Sequence, residues 1–236
     1  KFASTRTTPM ESSHNELLRR KTARKISGLY VIVDPSATLG RNVTDIARAA
    51  LLGGASAIQY RDKKANKNDQ LLNAQKLRDV CEIHGGILII NDHPRLASVS
   101  EAHGVHLGQQ DMAISKARGL LYEYQFIGAS NALLTEAAMA ISEGADYIAI
   151  GAMHHSNSKS NTRNAGIETL QKIKAKEYDI PMVAIGGINL NNVDSILEAG
   201  ADGICVISAV CSAEDPEKAA HLLTEQIESY RYRTTR

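Results

Sequence analysis

The sequence predicts an α/β protein folded as a (β/α)8 TIM barrel with a short N-terminal extension. From Gly28 onward, eight short runs rich in β-branched residues recur along the chain. Most are separated by segments whose apolar residues recur every three or four positions, which indicates amphipathic helices. Strands that are apolar on both faces and joined by helices form a parallel sheet covered by helices. Eight such units close into a barrel, and 236 residues suffice for one.

The predicted strands and helices alternate along the chain. The strands are GLYVIVD, SAIQYRD, ILIIND, GVHLG, QFIGAS, DYIAIGA, PMVAIGG and GICVISA. The helices include TDIARAALLGGA, NDQLLNAQKLRDVCEIHGG, ALLTEAAMAISEGA, IETLQKIKAKEY and NVDSILEAGA, and we expect a brief one over about 94–102. Three helices end in a glycine followed by alanine, which suits a left-handed C-cap. An open doubly wound sheet is the alternative, but no G-x-G-x-x-G turn follows the first strand.

Residues 28–236 are assigned to the barrel domain and residues 1–27 to the N-terminal extension. The opening KFASTRTTPM is basic and without acids, and we expect a partly disordered start more than a transit peptide. Ser13 and Glu16 have the spacing of a capping box, which predicts a short helix in the extension.

Composition excludes several classes of protein. The 27 basic and 26 acidic residues give no overall field for binding nucleic acid or an anionic membrane. No apolar run approaches the roughly 20 residues that cross a bilayer. The three cysteines lack metal-ligand spacing, which is typical of reduced cysteines in a cytosolic protein. We therefore expect a soluble, cytoplasmic protein with small-molecule partners.

The clearest polar cluster follows the second predicted strand. Gln59, Arg61 and Lys63 alternate with Tyr60 and Asp62 in QYRDK. Side chains two positions apart in a strand point the same way, so an amide and two cations share one face. The alternative is a merely solvated strand end, but an apolar strand has no packing need for glutamine and arginine there. In a barrel enzyme this end of the strands carries the active site.

Acidic residues follow the next two strands. Asn91 and Asp92 end the third strand, and Asp111 comes after the fourth. Two carboxylates on neighbouring loops suit Mg²⁺, which prefers oxygen ligands and keeps part of its shell for substrate phosphates. Each aspartate alone could instead cap a helix. Ser130, at the end of the fifth strand, could cap the next helix or donate to an anion.

Glycine-rich ends mark the last two strands. Gly186 and Gly187 end the seventh strand and ISAV ends the eighth, each before a predicted helix. Backbone N–H groups of such loops bind anions, and this is the usual phosphate position in barrel enzymes.

The loop after the sixth strand, GAMHHSNSKSN, lies beside that position and contains Ser156, Ser158 and Lys159. Hydroxyl and ammonium groups suit a phosphate better than a transition metal. His154 and His155 are adjacent, so their side chains diverge, and no third nitrogen or sulfur ligand is near in sequence. The loop therefore favours a phosphate over a metal.

Together these segments resemble the thiamine-phosphate synthase family, barrel enzymes that join a pyrimidine diphosphate to a thiazole phosphate. The resemblance runs from Gly28 to the last helix and rests on QYRDK, NDHPRLA, GVHLGQQD, IGAS, the SNSK loop, and VAIGGI followed by VISA. Each motif alone is weak, and their order along the chain makes the group specific.

The resemblance implies a Mg²⁺-dependent transferase that releases pyrophosphate and forms thiamine phosphate. It implies that Asp92 and Asp111 hold the metal. The residues that it implies to be catalytic are Arg61, Lys63, Ser130 and Lys159. The residues that it implies to bind substrate are Gln59, Arg61, Lys63, Asn91, Ser130, Ser156, Ser158, Lys159, Gly187, Ile207 and Ser208.

The chain departs from the family pattern at two places. The family loop GPIFPTxTK carries prolines where this chain has Ala152 and His155, and threonines where it has serines. We expect that loop to be less rigid and to bind phosphate more weakly. His103 stands in AHGVH where the family has an aspartate. That position precedes a strand, away from the active face, so we expect little functional cost.

Three other functions remain open at this point. One is a thiazole tautomerase of the same fold, which lacks parts of the diphosphate apparatus. Another is a non-catalytic phosphate-binding or regulatory barrel, and the third is an unrelated sugar-phosphate enzyme. The sequence leaves the oligomeric state undetermined, and a homo-oligomer is compatible with it.

Overall fold

The computed structural model describes residues 9–154 and 163–234. Its eight strands are all parallel and close into a barrel in chain order, with β8 paired to β1. The strands are β1 (Leu29–Val33), β2 (Ala57–Tyr60), β3 (Ile87–Asn91), β4 (Gly104–Leu107), β5 (Phe126–Asn131), β6 (Tyr147–Gly151), β7 (Met182–Ile185) and β8 (Gly203–Val206). The predicted (β/α)8 barrel is confirmed.

Helices connect the strands around the outside of the barrel. They are α1 (Pro9–Ala23), α2 (Val43–Leu52), α3 (Lys67–Ile83), α4 (Pro94–Val99), α5 (Ile114–Arg118), α6 (Leu134–Ser142), α7 (Gly166–Lys174), α8 (Val193–Glu198), α9 (Ser208–Cys211) and α10 (Pro216–Thr234). The helix after β3 is brief, as predicted, whereas α5 and α9 are short helices that the periodicity did not indicate. Among the described helices, none combines the length and the apolar character that a membrane crossing requires.

The glycine that repeatedly precedes a strand has a left-handed backbone conformation at the end of three helices. Gly54, Gly144 and Gly200 have φ angles of 95°, 95° and 99°. After the first of them, the Ala55 N–H donates to the Ala50 carbonyl at 2.9 Å, which satisfies a carbonyl of the last helical turn. The predicted helix-to-strand junctions are confirmed at all three places.

Aromatic rings and inward-facing glycines together fill the barrel interior. Tyr147 and Phe126 are fully buried in a cluster inside the strands, separate from the larger cluster between strands and helices. A Cβ atom added at Gly128 would lie 2.0 Å from the Tyr147 ring, and one at Gly104 would lie 2.5 Å from the Phe126 ring. Glycine at these inward positions of β4 and β5 therefore makes room for the two rings.

The N-terminal extension contributes to the barrel core. Its helix α1 begins at Pro9, so Ser13 lies inside it, and the prediction of a capping box at Ser13 was wrong. Ala23 and Ile26 are completely buried and belong to the interior cluster. Arg19 on α1 donates from Nε to Asp146 Oδ1 at 2.8 Å. The described part of the extension thus packs against the barrel, and the domain boundary at residue 28 stays a prediction.

His103 accepts a hydrogen bond from a backbone N–H group, as two carboxylates do at equivalent places in the barrel. Asp146 accepts a hydrogen bond from the Ile127 N–H at 2.8 Å, and Asp202 accepts one from the Met182 N–H at 2.9 Å. His103 Nδ1 accepts the corresponding bond from the Leu88 N–H at 3.0 Å. Burial lowers the pKa of His103 to about 4, with smaller contributions from the positive charges of Arg78 and Lys25. The imidazole is therefore neutral near pH 7 and acts as an acceptor.

We predict that His103→Asp reduces the loss of stability in acid. The unfolded chain protonates this histidine near pH 6.5, whereas the folded protein does so near pH 4, so the folded state binds fewer protons between these values. The contribution of the neutral imidazole to the free energy of unfolding is therefore fully present above about pH 7. It is lost as the pH falls from about 6.5 towards 4. Urea unfolding at pH 7.5 and at pH 4.5 measures how much unfolding free energy is lost between these two pH values. That loss should be smaller by about 1–2 kcal/mol in the variant than in the wild type.

The control for this prediction is His221→Asp, because His221 is exposed on α10. It should leave the pH dependence of unfolding as in the wild type. An equal pH dependence in His103→Asp and the wild type would contradict the role assigned to the imidazole.

Candidate functional site

A cavity of about 890 Å³ opens at the carboxyl ends of the strands, a volume in the range of small-molecule sites. It collects most of the residues that the sequence predicted for a site. Those that line it are Arg61, Lys63, Asn91, Asp92, Asp111, Ser130, Gly187, Ile207 and Ser208. They lie at the carboxyl ends of β2, β3, β4, β5, β7 and β8 or in the loops that follow, so residues far apart in the chain meet at one end of the barrel.

Among the described residues, one predicted site residue does not line the cavity. Gln59 points inward from β2 but lies deeper in the barrel, where it is 1% exposed and donates from Nε2 to Tyr30 Oη at 2.5 Å. The loop residues Ser156, Ser158 and Lys159 lie outside the described residues. Their proposed contacts with phosphate stay predictions.

Arg61 is fixed by a buried carboxylate at the end of β1. Its Nη1 atom forms an ion pair with Asp34 Oδ2, and the Asp34 side chain is 9% exposed. Asp34 also accepts hydrogen bonds from the Ser36 N–H at 2.9 Å and from Ser36 Oγ at 2.6 Å. Burial alone would raise the pKa of Asp34, but the bonds from Ser36 and Arg61 outweigh it and hold the pKa below its ordinary value. The guanidinium therefore has an ionised partner that anchors one of its nitrogens.

Two carboxyl groups, those of Asp92 and Asp111, meet beside Lys63 in the cavity. Asp111 Oδ2 accepts from the Gly108 N–H at 2.6 Å, and Lys63 Nζ lies 3.4 Å from Asp92 Oδ2. Burial raises the pKa of Asp111, and the hydrogen bond and charge of Asp92 raise it further. Burial also opposes ionisation of Asp92, but the bond from Asp111 and the charge of Lys63 bring its pKa below the ordinary value. Two adjacent carboxyl groups repel each other when both are ionised, and a bound cation would relieve that repulsion.

This pair fits Mg²⁺ better than a transition metal. Within residues 9–154 and 163–234, no group of three or more histidine, cysteine, aspartate or glutamate side chains is placed to hold a metal ion. Mg²⁺ is usually bound by one or two carboxylates, with water and substrate phosphates supplying the other oxygens. Asp92 and Asp111 offer that donor set beside a cavity large enough for a phosphorylated substrate.

The glycine-rich end of β7 forms a turn of its own. Gly186 and Gly187 have φ angles of 106° and 66°, which favour glycine. The next helix, α8, begins only at Val193, so the prediction that these amides directly precede a helix was wrong. The Asn192 side chain instead closes the turn by donating to the Gly187 carbonyl at 2.9 Å. Ser208 is the first residue of α9, so this short helix begins inside ISAV, whereas the sequence predicted a helix after it.

The two stems of the loop over residues 155–162 are anchored at the cavity edge. The His154 N–H donates to the Gly186 carbonyl at 3.0 Å, and the Ala152 N–H donates to the Arg163 carbonyl at 2.8 Å. Ala152 stands where the family pattern has a proline, and a proline has no N–H with which to make this bond. Arg163 also forms a two-bonded ion pair with Glu136 at the start of α6. The replacement of the proline thus adds a backbone contact at this stem.

The sequence interpretation missed polar residues that the fold brings to the site. His106 is 7% exposed and faces inward from β4 with Gly104, so the period of two in GVHL could have identified it. Asp34 directly follows the first apolar strand, and the same end-of-strand argument applies to it. Arg163 reaches the cavity from beyond the loop, and no pattern in the sequence indicates that position.

Comparisons with known proteins identify the family of this chain. A sequence model described as thiamine monophosphate synthase matches residues 29–210. The chain belongs to the thiamine monophosphate synthase family. The resemblance inferred from the sequence motifs is confirmed.

Relatives within the family differ in length. A thiamine-phosphate synthase of Nostoc punctiforme is 41% identical over 85% of this chain, and the chain spans 56% of that relative. The enzyme of that name from Albidiferax ferrireducens is 38% identical over 85% of this chain and 92% of the relative. A solved structure, thiamine phosphate pyrophosphorylase from Pyrococcus furiosus, has 37% identity and a TM-score of 0.81, covering 88% of this chain and 98% of that one.

We predict that Asp34→Ala destabilises the protein by about 1–3 kcal/mol, because it leaves the Arg61 guanidinium without its partner in a mostly buried position. Chemical unfolding of the variant and the wild type measures this difference. Asp45→Ala is the control, because Asp45 pairs with Arg48 on the exposed face of α2, where an ion pair contributes little. Equal stability of Asp34→Ala and the wild type would contradict the anchoring role.

Proposed function

We propose that the chain is a thiamine-phosphate synthase that condenses 4-amino-2-methyl-5-hydroxymethylpyrimidine diphosphate with a thiazole phosphate. The products are thiamine phosphate and pyrophosphate. The observation that carries the proposal is the meeting of Arg61 and Lys63 with the Asp92–Asp111 pair in one cavity of a chain from this family. Cations and a metal-binding carboxylate pair are what a departing diphosphate requires.

The reaction breaks the bond between the pyrimidine methylene carbon and the diphosphate oxygen, and the electron pair leaves with pyrophosphate. The thiazole nitrogen then supplies the pair for the new carbon–nitrogen bond. Arg61, held by Asp34, is oriented before substrate arrives, so little reorganisation is needed when charge develops on the leaving group. Lys63, whose side chain is 61% exposed, supplies a second cation from the cavity edge.

The other end of the cavity suits the thiazole phosphate. Gly187 and Ser208 follow β7 and β8, the usual phosphate position of this fold. Ile185, Ile188 and Ile207 provide apolar surface in the same cavity. An apolar wall limits the access of water, which would otherwise compete with the thiazole nitrogen for the pyrimidine cation.

We further propose that the enzyme depends on Mg²⁺ held by Asp92 and Asp111. When bound, this ion would neutralise the charge that develops on the leaving diphosphate. The coordination chemistry of the two carboxyl groups supports the assignment. The cytoplasmic location and a homo-oligomeric state stay predictions.

The alternatives account for fewer of these residues. A thiazole tautomerase or a sugar-phosphate barrel enzyme needs no pair of cations facing two carboxylates, and a regulatory barrel needs no preorganised leaving-group site. Arg61, Lys63, Asp92 and Asp111 are all present and lie together, which favours the synthase.

The proposal is tested by incubating the purified protein with the pyrimidine diphosphate and the thiazole phosphate, with Mg²⁺ or with a chelator. We expect pyrophosphate and thiamine phosphate in equal amounts, and neither after chelation. Binding of the thiazole phosphate without either product would instead identify a barrel that keeps a phosphate site without this chemistry.

We predict that Lys63→Ala lowers kcat by more than about tenfold, because it removes a charge-assisted contact to the leaving group. Arg61→Ala and Lys159→Ala should have losses of at least that size for the same reason. Lys64→Ala is the matched control, because Lys64 is a neighbouring exposed lysine that does not line the cavity. Equal kcat values for Lys63→Ala and Lys64→Ala would contradict the assignment.

We predict that Asp92→Asn raises the Mg²⁺ concentration at half-maximal activity by about tenfold or more, because an amide is a weaker ligand than a carboxylate for a hard cation. A titration of activity against Mg²⁺ measures this shift. Asp62→Asn is the control, because Asp62 binds the backbone of its own loop at Lys64 and Ala65. Superimposable titrations of Asp92→Asn and the wild type would rule out Asp92 as a ligand.

A further inference from the structure

A second arginine at the mouth of the cavity is anchored by a carboxylate. Arg163 lies beyond the loop that follows β6 and lines the cavity. Both of its Nη atoms bond to Glu136 on α6: Nη1 donates to Oε1, and Nη2 donates to Oε2 at 2.9 Å. The Glu136 side chain is 15% exposed, and its Oε2 also accepts from the Ala132 N–H at 2.8 Å. The carboxylate is thus held by the backbone, so it can fix the orientation of the guanidinium.

Both members of this pair are charged near pH 7. Burial alone would raise the pKa of Glu136, but the bonds from Arg163 and from the Ala132 N–H outweigh it and hold the pKa below its ordinary value. The hydrogen bond to Glu136 raises the pKa of Arg163 above its already high value. Arg163 is therefore a cation at every working pH.

The same arrangement occurs on the opposite side of the barrel mouth. Asp34 follows β1 and holds Arg61 after β2, whereas Glu136 follows β5 and holds Arg163 after β6. In a closed barrel of eight strands in chain order, β1 and β2 lie opposite β5 and β6. Each carboxylate also accepts a hydrogen bond from a backbone N–H near its own strand end. The cavity mouth thus has one anchored arginine on each of two opposite sides.

The bonds to Glu136 leave part of the Arg163 guanidinium available. The group carries five N–H bonds, and the carboxylate accepts two of them. Within residues 9–154 and 163–234, no other acceptor bonds to the remaining three. The Arg163 side chain is 54% exposed and lines the cavity, so a ligand there can reach these donors. A planar, positively charged set of N–H donors suits the oxygens of a phosphate group.

We infer that Arg163, positioned by Glu136, binds a phosphate group of a substrate in this cavity. The inference rests on the proposed function, in which both substrates carry phosphate groups. The group belongs either to the thiazole phosphate or to the diphosphate, and the chemistry of recognition is the same for both: charge-assisted hydrogen bonds to phosphate oxygens. Arg163 contacts the substrate, whereas Glu136 acts through Arg163 as a positioning residue.

Two substitutions separate this role from that of a merely structural ion pair. If the pair only tied the end of the loop to α6, Arg163→Met and Glu136→Gln would have equal effects, because each removes the same contact. If Arg163 binds phosphate, Arg163→Met removes the binding cation. Glu136→Gln then keeps the cation and weakens only its anchor.

The test is isothermal titration calorimetry of the full chain with thiazole phosphate and, separately, with inorganic pyrophosphate and Mg²⁺. Arg163→Met should raise the Kd of at least one ligand by about tenfold or more, because charge-assisted hydrogen bonds are lost. Glu136→Gln should raise the same Kd by less than about threefold, because the exposed cation remains. Arg163→Lys should have an intermediate Kd, because it keeps the charge without the planar donors. The titration in which the Kd rises identifies the substrate that Arg163 binds.

Arg48→Met is the matched control. Arg48 also pairs with a carboxylate, that of Asp45, and its side chain is 50% exposed, but it does not line the cavity. This variant should bind both ligands as the wild type does. Urea unfolding of each variant shows whether it is folded under the conditions of the titration, so that the Kd values refer to folded molecules.

Wild-type Kd values for both ligands in Arg163→Met would overturn the inference, even in a protein that forms thiamine phosphate. Equal rises in Arg163→Met and Glu136→Gln would also overturn it, because they would identify a structural contact. A Kd that rises in Arg163→Met well beyond Glu136→Gln, in a protein that forms no product, would support the inference while rejecting the proposed function. A wild-type protein that binds neither ligand would overturn both.

Discussion

The Tyr147 ring inside the barrel links the fold to the site. A closed barrel of eight strands must fill its interior with side chains, and this one does so with rings from β5 and β6 packed against inward glycines of β4 and β5. The ring thus supplies core packing, while its hydroxyl contacts Tyr30 and His106. Any change in the packing of this layer would move His106, and with it Ser130 at the floor of the cavity.

Charges above that layer are arranged before a substrate binds. Arg61 is paired with Asp34, and Lys63 lies beside Asp92, so each cation has a carboxylate that limits its motion. A diphosphate entering the cavity would meet the two cations and, beside Lys63, the Asp92–Asp111 pair. In the proposed reaction, this preorganisation would stabilise the charge on the departing group without a covalent nucleophile.

Local patterns in the sequence predicted much of the fold and of the site. The glycine C-caps and the eight apolar runs were sufficient to predict the barrel, because each of these patterns is formed by residues that are neighbours in the sequence. Arg61 and Lys63 were found from the period of two, whereas Gln59 proved to lie one layer deeper in the barrel. His106 was not identified from the sequence, because it is a single polar residue within an otherwise apolar strand. The contact of Arg163 with Ala152 depends on residues eleven positions apart across a loop, which no periodicity reports.

The central claim is that diphosphate and Mg²⁺ bind together in the cavity, at the two cations and the two carboxylates. The most direct test is a crystal structure of the protein grown with Mg²⁺ and pyrophosphate. The account predicts pyrophosphate oxygens bonded to Arg61 and Lys63, with the metal bound by Asp92 and Asp111. Pyrophosphate bound away from Arg61 and Lys63, or a metal that contacts neither aspartate, would contradict it.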